Sequence, residues 1–341
     1  MADIIRKNTA PRATIADVAR HAGVSKATVS RFLNHRDTLL SPEISDRVAA
    51  AVEALSYTPS PMAQALKRGR SRLVGLVVAD ITNPYSVAVL SGAEQACRQA
   101  GFLMMLFNLG NDRERESVGL RILSSYQVEG FILNTMGLEQ EAVVTQALQG
   151  RPVVLVDRLR QGMDVDFVSL DNQQAIGMCI RHLQQAGYGE FLLVTEPLDG
   201  ISSRMERVAA FEALQGPVSG QWLEARPDDH AGLVDALRAL RRRARHTPAL
   251  IAGNAVVTMR IVAAVAELGW QLGRDIGLVG IDDTLWAPYV GPGISAVAQP
   301  TDALGNLAAQ CLIERMAGLD APARAIRLPG SLVVRGSTRL G

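Results

Sequence analysis

A short polar face in the N-terminal part of the chain carries residue types that read DNA bases. The segment 26–33 predicts a helix, with its apolar residues Val29, Phe32 and Leu33 on one side. The opposite side presents Lys26, Ala27, Thr28, Ser30 and Arg31. An arginine there can donate to O6 and N7 of guanine, whereas Thr and Ser hydroxyls suit phosphates. The pattern therefore indicates a helix that fits the major groove of double-stranded DNA.

The residues before this helix predict the element that positions it. Thr14 is a good N-cap for a first helix, and Asp17 can reach back to that cap. Gly23 permits a turn of positive φ, and Ser25 caps the second helix. Two short helices joined by a glycine turn form a helix-turn-helix, which a third helix over 42–55 completes as a small bundle. The pattern alone also fits an ordinary helical hairpin with a solvated polar face.

Further along the chain, polar residues follow apolar runs of strand length. Asn134, Asp157, Asn254 and Asp282 each end or closely follow such a run, and Arg207 lies early in the helix after another. Because the carboxyl ends of parallel strands meet at one edge of a sheet, these side chains should lie close together. Hydrogen-bond donors and acceptors of this kind suit the neighbouring hydroxyl groups of a carbohydrate.

The elements that must hold these residues form two α/β lobes. From residue 73 onward, apolar runs alternate with helical segments, which is typical of doubly wound parallel sheets. The predicted strands are 73–79, 102–107, 130–134, 152–157, 167–169, 191–195, 249–252 and 276–280. The pattern restarts near 173–191, which indicates two lobes with a ligand cleft between them. The predicted fold is an N-terminal all-α helix-turn-helix domain followed by a two-lobed α/β domain with doubly wound parallel sheets.

The charge distribution separates the chain of 341 residues into a basic head and an acidic body. Residues 1–72 hold 12 Lys or Arg and six Asp or Glu, whereas the remaining residues hold 23 and 28. A basic head indicates a polyanionic partner. The N-terminus lacks the apolar core of a signal peptide, and no apolar run reaches the ~18 residues of a membrane span. With three widely spaced cysteines, these features predict a cytoplasmic protein without membrane contact.

The sequence offers no motif of an enzyme. Its five histidines lack the spacing of metal ligands, and it contains neither a GxSxG elbow nor a GxxxxGK[ST] phosphate loop. No GxGxxG opens a helix after a strand. We therefore expect no catalytic residues, no metal site and no cofactor. A transport-type sugar-binding protein is the other rival class, because the body alone would serve that role.

The head resembles that of the LacI/GalR family of transcriptional regulators almost position for position over residues 14–34, TIADVARHAGVSKATVSRFLN. The basic, proline-containing segment 57–72 is similar to the family's hinge, in which a leucine wedges into the minor groove. The resemblance implies a helix-turn-helix domain at 1–58, a hinge at 59–72, and a two-lobed effector-binding and dimerisation domain at 73–341. It implies DNA contacts by Thr14, Ser25, Lys26, Ala27, Thr28, Ser30, Arg31, Asn34, Ala65, Leu66, Lys67 and Arg68.

From residue 73 to about 336, the chain resembles the periplasmic-binding-protein-like effector domain of the same family. This similarity implies an effector site formed or approached by Asp80, Tyr85, Asn134, Asp157, Arg158, Arg204, Arg207, Asn254, Asp282 and Gln299. Where the family usually has Asn-Asp, this chain has Asn254 and Ala255. One carboxylate fewer beside Arg158, Arg204 and Arg207 favours an anionic ligand, because arginine binds carboxylates bidentately.

The resemblance implies a homodimeric repressor of an inverted-repeat operator that releases DNA when a small carbohydrate binds. The arginines favour a sugar acid such as gluconate or 2-ketogluconate. A neutral-sugar-responsive repressor and a cytoplasmic sugar-binding protein without a DNA role are the alternatives. The arginine argument also has its own alternative, in which Arg158 and Arg204 pair with nearby acids such as Asp157 and Glu206.

A basic head and hinge predict that affinity for DNA falls steeply as salt rises, because bound Lys and Arg displace counterions from phosphates. The measurement is fluorescence anisotropy of a labelled duplex, selected by the protein from a random pool, over a series of NaCl concentrations. A flat salt profile would contradict the predicted phosphate contacts.

Overall fold

The computed structural model describes residues 13–33, 40–59, 70–112, 114–135, 148–160, 162–214 and 219–340. It forms two compact units, residues 1–71 and 72–341. We call them the head and the body. Two sets of expected DNA contacts, Asn34 and the hinge residues Ala65 to Arg68, lie outside the described residues.

Three helices of the head follow from local capping signals. The helices are α1 (Ile15–Ala22), α2 (Lys26–Leu33) and α3 (Pro42–Ala54). Thr14 and Asp17 form the predicted capping box of α1, and the Ser25 hydroxyl accepts the Thr28 N–H at 3.1 Å at the start of α2. Gly23 adopts the left-handed conformation (φ 64°) that ends α1.

The three helices enclose one apolar core, which fixes the turn between α1 and α2. Val18, Val29 and Val48 contribute one fully buried side chain from each helix. Arg47 of α3 donates to the carbonyls of Ala22 and Gly23, so α3 also holds the turn by hydrogen bonds. The bundle therefore fixes the direction in which the polar face of α2 points.

The body contains two six-stranded sheets with the same strand order. The strands are β1 (Leu73–Val78), β2 (Leu103–Asn108), β3 (Gly130–Asn134), β4 (Val153–Val156), β5 (Asp166–Leu170), β6 (Glu190–Thr195), β7 (Ser219–Glu224), β8 (Ala249–Ala252), β9 (Gly277–Ile281), β10 (Ser295–Ala298), β11 (Ala325–Leu328) and β12 (Ser331–Val333). Lobe 1 has the order β11-β5-β4-β3-β1-β2, and lobe 2 has β12-β10-β9-β8-β6-β7. All pairs are parallel except β10 with β12.

Helices cover both faces of each sheet, which explains why the central strands are apolar throughout. Lobe 1 carries α4 (Pro84–Gln99), α5 (Arg115–Ser125) and α10 (Thr301–Met316). Lobe 2 carries α6 (Asn172–Gln185), α7 (Ser202–Leu214), α8 (His230–Arg243) and α9 (Ala255–Glu267). Among the described helices, none is long and apolar enough to cross a membrane.

The chain passes between the lobes at the junctions β5–α6, β10–α10 and β11–β12. The eight predicted strands all occur, with shifts of a residue or so, and the predicted two-lobed fold is confirmed. The sequence analysis missed β7, β10, β11 and β12. Ser, Gly, Gln and Arg interrupt these segments, and β7, β11 and β12 are edge strands that need no continuous apolar run.

Two glycines allow α4 and α10 to pack closely in lobe 1. A Cβ at Gly305 would lie 2.1 Å from the Val89 carbonyl oxygen, and one at Gly92 would lie 2.1 Å from the Asp302 carbonyl oxygen. Both obstacles are backbone atoms, so a larger side chain must push the helices apart. This contact anchors α10, the helix that enters lobe 1 directly after the β10–α10 junction.

We predict that Gly305→Ala destabilises the body by about 1–3 kcal/mol, because the added methyl group overpacks the helix contact. Urea unfolding followed by circular dichroism measures the effect. Gly189→Ala is the matched control, since no atom lies within 4 Å of a Cβ there. Equal midpoints for the two variants would show that the α4–α10 contact is not tight.

Candidate functional site

A polar cavity lies between the lobes, at the carboxyl ends of their strands. Its lining comprises Asn83, Tyr85, Asn134, Asp157, Arg158, Ser203, Arg204, Arg207, Asn254, Asp282 and Gln299. Nine of the ten residues expected at an effector site are in this set. The tenth, Asp80, is absent from it. The doubly wound topology brings these side chains together because both sheets present their carboxyl edges to the same cleft.

Asp157 and Asp282 occupy equivalent places in the two lobes. Asp157 follows β4 and Asp282 follows β9, and both have a positive φ, 65° and 80°. The Asp157 N–H donates to the Val168 carbonyl at 2.9 Å, and the Asp282 N–H to that of Val297 at 3.0 Å. Non-glycine residues hold such a conformation only where surrounding contacts impose it. Here each strand end turns and delivers a carboxylate to the cavity.

The Asp157 carboxylate contacts both lobes. The Ser203 hydroxyl of α7 donates to it at 3.2 Å. Its oxygens lie 3.6 Å from Arg158 Nε and 3.8 Å from Arg207 Nη2. These two separations exceed the 2.7–2.9 Å of a charge-assisted hydrogen bond. Asp157 therefore attracts both guanidinium groups electrostatically, and neither of these separations is a short hydrogen bond.

The Asp282 carboxylate is more tightly held. It accepts the Ala255 N–H at 2.9 Å and the Gln299 side-chain amide at 2.6 Å. Burial raises its pKa above the usual aspartate value, and the nearby Arg207 charge and these two hydrogen bonds partly offset that rise. Asp282 thus joins the start of α9 to Gln299, which follows β10 where the polypeptide passes into lobe 1.

Arg207 and Arg204 project from α7 and are almost fully buried. Arg207 donates through Nε to Asn172 Oδ1 at 2.8 Å and through Nη1 to the Gly253 carbonyl at 2.6 Å. Arg204 binds the Pro197 carbonyl at 2.6 Å and forms an ion pair with Glu196 at 2.8 Å. Burial lowers the pKa of Arg204, and the Glu196 charge opposes that shift.

Glu196 is a residue that the sequence analysis missed. It follows β6, and its Oε2 accepts from Asn254 Nδ2 at 2.6 Å as well as from Arg204. It therefore supplies a carboxylate beside Asn254, where the neighbouring Ala255 has none. Its place directly after an apolar strand is the signal that would have found it. Asn83 and Ser203 were also missed, although they adjoin predicted elements.

The two asparagines of the lining also have structural roles. Asn254 Oδ1 accepts the Val257 N–H at 2.9 Å and so caps α9. Asn134 donates to the Val156 carbonyl at 3.1 Å, which links the ends of β3 and β4. Each amide retains only part of its hydrogen-bonding capacity for another molecule.

Two neutral polar groups of the lining are buried and have no hydrogen-bond partner among the described residues. They are the Tyr85 hydroxyl and Gln299 Oε1. Burial raises the pKa of the Tyr85 hydroxyl well above its usual value, so this group stays protonated and able to donate. Buried polar atoms without partners are rare and costly, so this donor and this acceptor remain available to another molecule.

Asp80 forms a turn after β1 rather than part of the lining. Its Oδ1 accepts from the backbone and hydroxyl of Thr82, both at 2.8 Å, and its Oδ2 accepts from the Asn111 amide at 2.8 Å. The carboxylate oxygens are thus both bound to neighbouring loop residues. Asp80, which was expected among the effector-site residues, therefore lies in this turn and not in the cavity lining.

In the head, α2 exposes the residues expected to read bases. Lys26, Ala27 and Arg31 are exposed, whereas Thr28 and Ser30 are half-buried. The hydroxyls of Thr14 and Ser25 are used in the caps of α1 and α2. These residues can also approach a phosphate, because both are exposed.

The described residues contain no group of three His, Cys, Asp or Glu side chains that could hold a metal ion.

A three-helix head with an exposed polar helix, joined in one chain to a two-lobed body with a polar cleft, defines a DNA-binding regulator with a ligand domain. Comparisons with known proteins give the same class. Residues 14–60 match the bacterial regulatory proteins of the lacI family, and residues 180–338 match the periplasmic binding protein-like domain.

The chain is similar over nearly its whole length to curated regulators. It is 45% identical to the HTH-type transcriptional regulator PtxS of Pseudomonas plecoglossicida, covering 96% of each chain. It is 36% identical to the HTH-type transcriptional regulator KdgR of Bacillus subtilis, covering 98% of this chain and all of that one. The crystal structure of the lac repressor dimer bound to operator and the anti-inducer ONPF has the same fold, with a TM-score of 0.82, 22% identity, and 96% and 99% coverage.

The chain therefore belongs to the LacI family of bacterial regulatory proteins and is a transcriptional regulator rather than an enzyme. The family and the regulatory function predicted from the sequence are confirmed. The alternative of a sugar-binding protein without a DNA role is excluded, because the head itself matches the regulator family.

We predict that Arg207→Ala abolishes the response to effector and leaves DNA binding intact, since Arg207 belongs to the body and lines the cavity. Anisotropy of labelled operator duplex, with and without sugar or sugar acid, measures both properties. Arg241→Ala, at an exposed position of α8, is the control. Loss of DNA binding together with the effector response would instead assign Arg207 a structural role.

Proposed function

We propose that the protein is a cytoplasmic repressor that binds an inverted-repeat operator as a homodimer and releases it when a sugar acid occupies the interlobe cavity. The observation that carries the sugar-acid assignment is the state of Arg207. Its Nη2 makes no hydrogen bond to the described residues and lies 3.8 Å from the nearest carboxylate oxygen, that of Asp157. A ligand carboxylate would supply the missing acceptor.

The charges of the lining support this assignment. Three guanidinium groups line the cavity, those of Arg158, Arg204 and Arg207, against the two carboxylates of Asp157 and Asp282. Buried guanidinium groups favour an anionic ligand, because charge-assisted hydrogen bonds are stronger than neutral ones.

The Glu196 carboxylate, which contacts Arg204 and Asn254 of the lining, balances the third guanidinium, so the assignment depends on contacts and not on net charge. Arg204 pairs with Glu196, not with Glu206, and Arg158 lies within ion-pair distance of Asp157. The alternative raised by the sequence thus describes Arg158, with the acid that was named, and Arg204, with a different acid. Arg207 is the guanidinium whose contacts support the proposal.

The neutral polar groups of the lining suit the polyhydroxyl part of the ligand. The Tyr85 hydroxyl can donate and Gln299 Oε1 can accept, and neither has a partner among the described residues. Asp157 and the Ser203 hydroxyl oxygen offer further acceptor positions, since the Ser203 proton is donated to Asp157. A chain or ring that carries adjacent hydroxyls satisfies such a set, whereas a simple dicarboxylate has no donor for Gln299 Oε1.

The lining residues come from both lobes, which provides a link between ligand and DNA. Tyr85, Asn134 and Asp157 belong to lobe 1, whereas Ser203, Arg207 and Asp282 belong to lobe 2. A ligand that bonds to both lobes favours one arrangement of them over others, which gives effector and operator a reciprocal coupling free energy. The exposed Lys26, Ala27 and Arg31 of α2 are the proposed base-reading residues.

The testing experiment is calorimetric titration of the full chain with matched ligands, gluconate and 2-ketogluconate beside glucose. We expect the acids to bind and the neutral sugar not to bind, and we expect Arg207→Gln to weaken acid binding by about tenfold or more, as for loss of a charged hydrogen bond. Arg241→Gln is the matched surface control. Binding of glucose with no preference for the acids would overturn the sugar-acid assignment and favour the neutral-sugar repressor.

A further inference from the structure

A hydrogen-bonded chain of four side chains leads from the cavity out to the opposite lobe. It begins at Arg207, whose Nε donates to Asn172 Oδ1 at 2.8 Å. Asn172 Nδ2 donates to Glu206 Oε2 at 2.7 Å. Glu206 then accepts two hydrogen bonds from Arg327, both at 2.8 Å. We call these residues the Arg207–Arg327 chain.

The Arg207–Arg327 chain crosses from lobe 2 to lobe 1. Asn172 begins α6 and Glu206 lies on α7, both in lobe 2, whereas Arg327 lies on β11 at the edge of the lobe 1 sheet. Asn172 stands directly after the β5–α6 junction, and β11 directly precedes the β11–β12 junction. The Arg207–Arg327 chain therefore includes a residue next to one of the three places where the polypeptide passes between lobes, and it ends next to a second.

The geometry of each link restricts motion. Asn172 is 1% exposed, so its amide has no solvent to replace a lost partner. Its amide oxygen and nitrogen are both used within the chain, which fixes the orientation of the side chain. Glu206 and Arg327 meet as a fork against a fork, an arrangement that specifies direction as well as distance.

Glu206 and Arg207 are adjacent in sequence but face different spaces. Arg207 lines the cavity, whereas Glu206 and Arg327 line a separate open groove with Asp171, Gln173 and alanines of α7. A ligand in the cavity therefore touches Arg207 but not the Glu206–Arg327 pair. Asn172 is the side chain that joins the two spaces.

We propose that Asn172 and Glu206 are positioning residues that hold the Arg207 guanidinium toward the cavity, and that Arg327 makes this hold depend on the arrangement of the two lobes. When the lobes shift, the fork between Glu206 and Arg327 is broken or realigned, and Asn172 and Arg207 lose their fixed direction. A ligand that engages Arg207 favours, in turn, the lobe arrangement in which the fork is closed. This inference rests on the proposed function only in taking Arg207 as a ligand contact.

The test uses variants of the full chain that change the fork and leave the cavity lining intact. Arg327→Gln removes one partner, and Glu206→Gln removes the charge but keeps an oxygen that can accept from Asn172. The matched control is Arg335→Gln, because Arg335 makes a similar bidentate pair with Asp283 (2.7 and 2.9 Å) entirely within lobe 2. Thermal unfolding checks that each variant is folded.

The first measurement needs no ligand. Spin labels at Gln95→Cys in α4 and Arg242→Cys in α8 report the distance between the lobes, and the three native cysteines are buried and therefore protected from labelling. We expect the distance distribution to shift or broaden in Arg327→Gln and Glu206→Gln and to stay unchanged in Arg335→Gln. An unchanged distribution in both fork variants would overturn the proposed dependence on lobe arrangement.

The second measurement is calorimetric titration with gluconate, 2-ketogluconate and glucose. We expect each fork variant to weaken binding of the ligand that the wild-type chain takes by about fivefold or more, the lower end of typical coupling between sites. We expect the double variant, with both Glu206→Gln and Arg327→Gln, to bind this ligand no more weakly than the single variant of lower affinity, because the two residues act as one unit. Unchanged affinity in both single variants would overturn the positioning role.

The two proposals fail separately. If the wild-type chain binds glucose and not the acids, the sugar-acid assignment fails, and the fork variants are measured with glucose. If it binds none of the three probes, the proposed ligand class fails, and the spin-label distances still decide whether the fork controls lobe arrangement.

Discussion

Burial of charge between two lobes is the constraint on which the rest of this site depends. A guanidinium group taken from water must be hydrogen-bonded or paired, because an unsatisfied buried charge costs several kcal/mol. Arg204 meets this condition through Glu196, and Arg207 meets it through Asn172 and a backbone carbonyl. Each pairing ties the cavity to a different element of lobe 2. The ion pair and hydrogen bonds that allow the arginines to be buried therefore also connect the cavity lining to the surrounding elements of lobe 2.

Because both lobes have the same strand order, equivalent strand ends present similar side chains to the cleft from its two sides. The equivalent ends of β4 and β9 each turn through a residue of positive φ and present Asp157 and Asp282 from opposite sides. Several lining residues also stabilise the helix that begins beside them, as Asn254 and Asn83 do by capping α9 and α4. Side chains that line the cavity thus also stabilise the fold.

Elements with a local sequence signal were predicted, and elements without one were missed. Capping residues, the glycine turn at Gly23 and continuous apolar strands are local signals, and α1, α2, α3 and the central strands were found from them. Edge strands such as β7 and β11 carry mixed residues because one side of the strand is unpaired, and they were missed. Nine of the ten residues expected at the effector site line one cavity, because parallel strands end at a common edge.

By itself, the sequence determined the helix-turn-helix head, the two parallel-sheet lobes and the family, because each depends on local periodicity or on a motif of contiguous residues. Only the tertiary structure decided which acid each arginine meets. It paired Arg204 with Glu196 instead of Glu206, and it joined Glu206 to Arg327, which is 121 residues away along the chain. Pairings of this kind depend on how helices and strands from two lobes are placed in space. No spacing along a single segment encodes that placement.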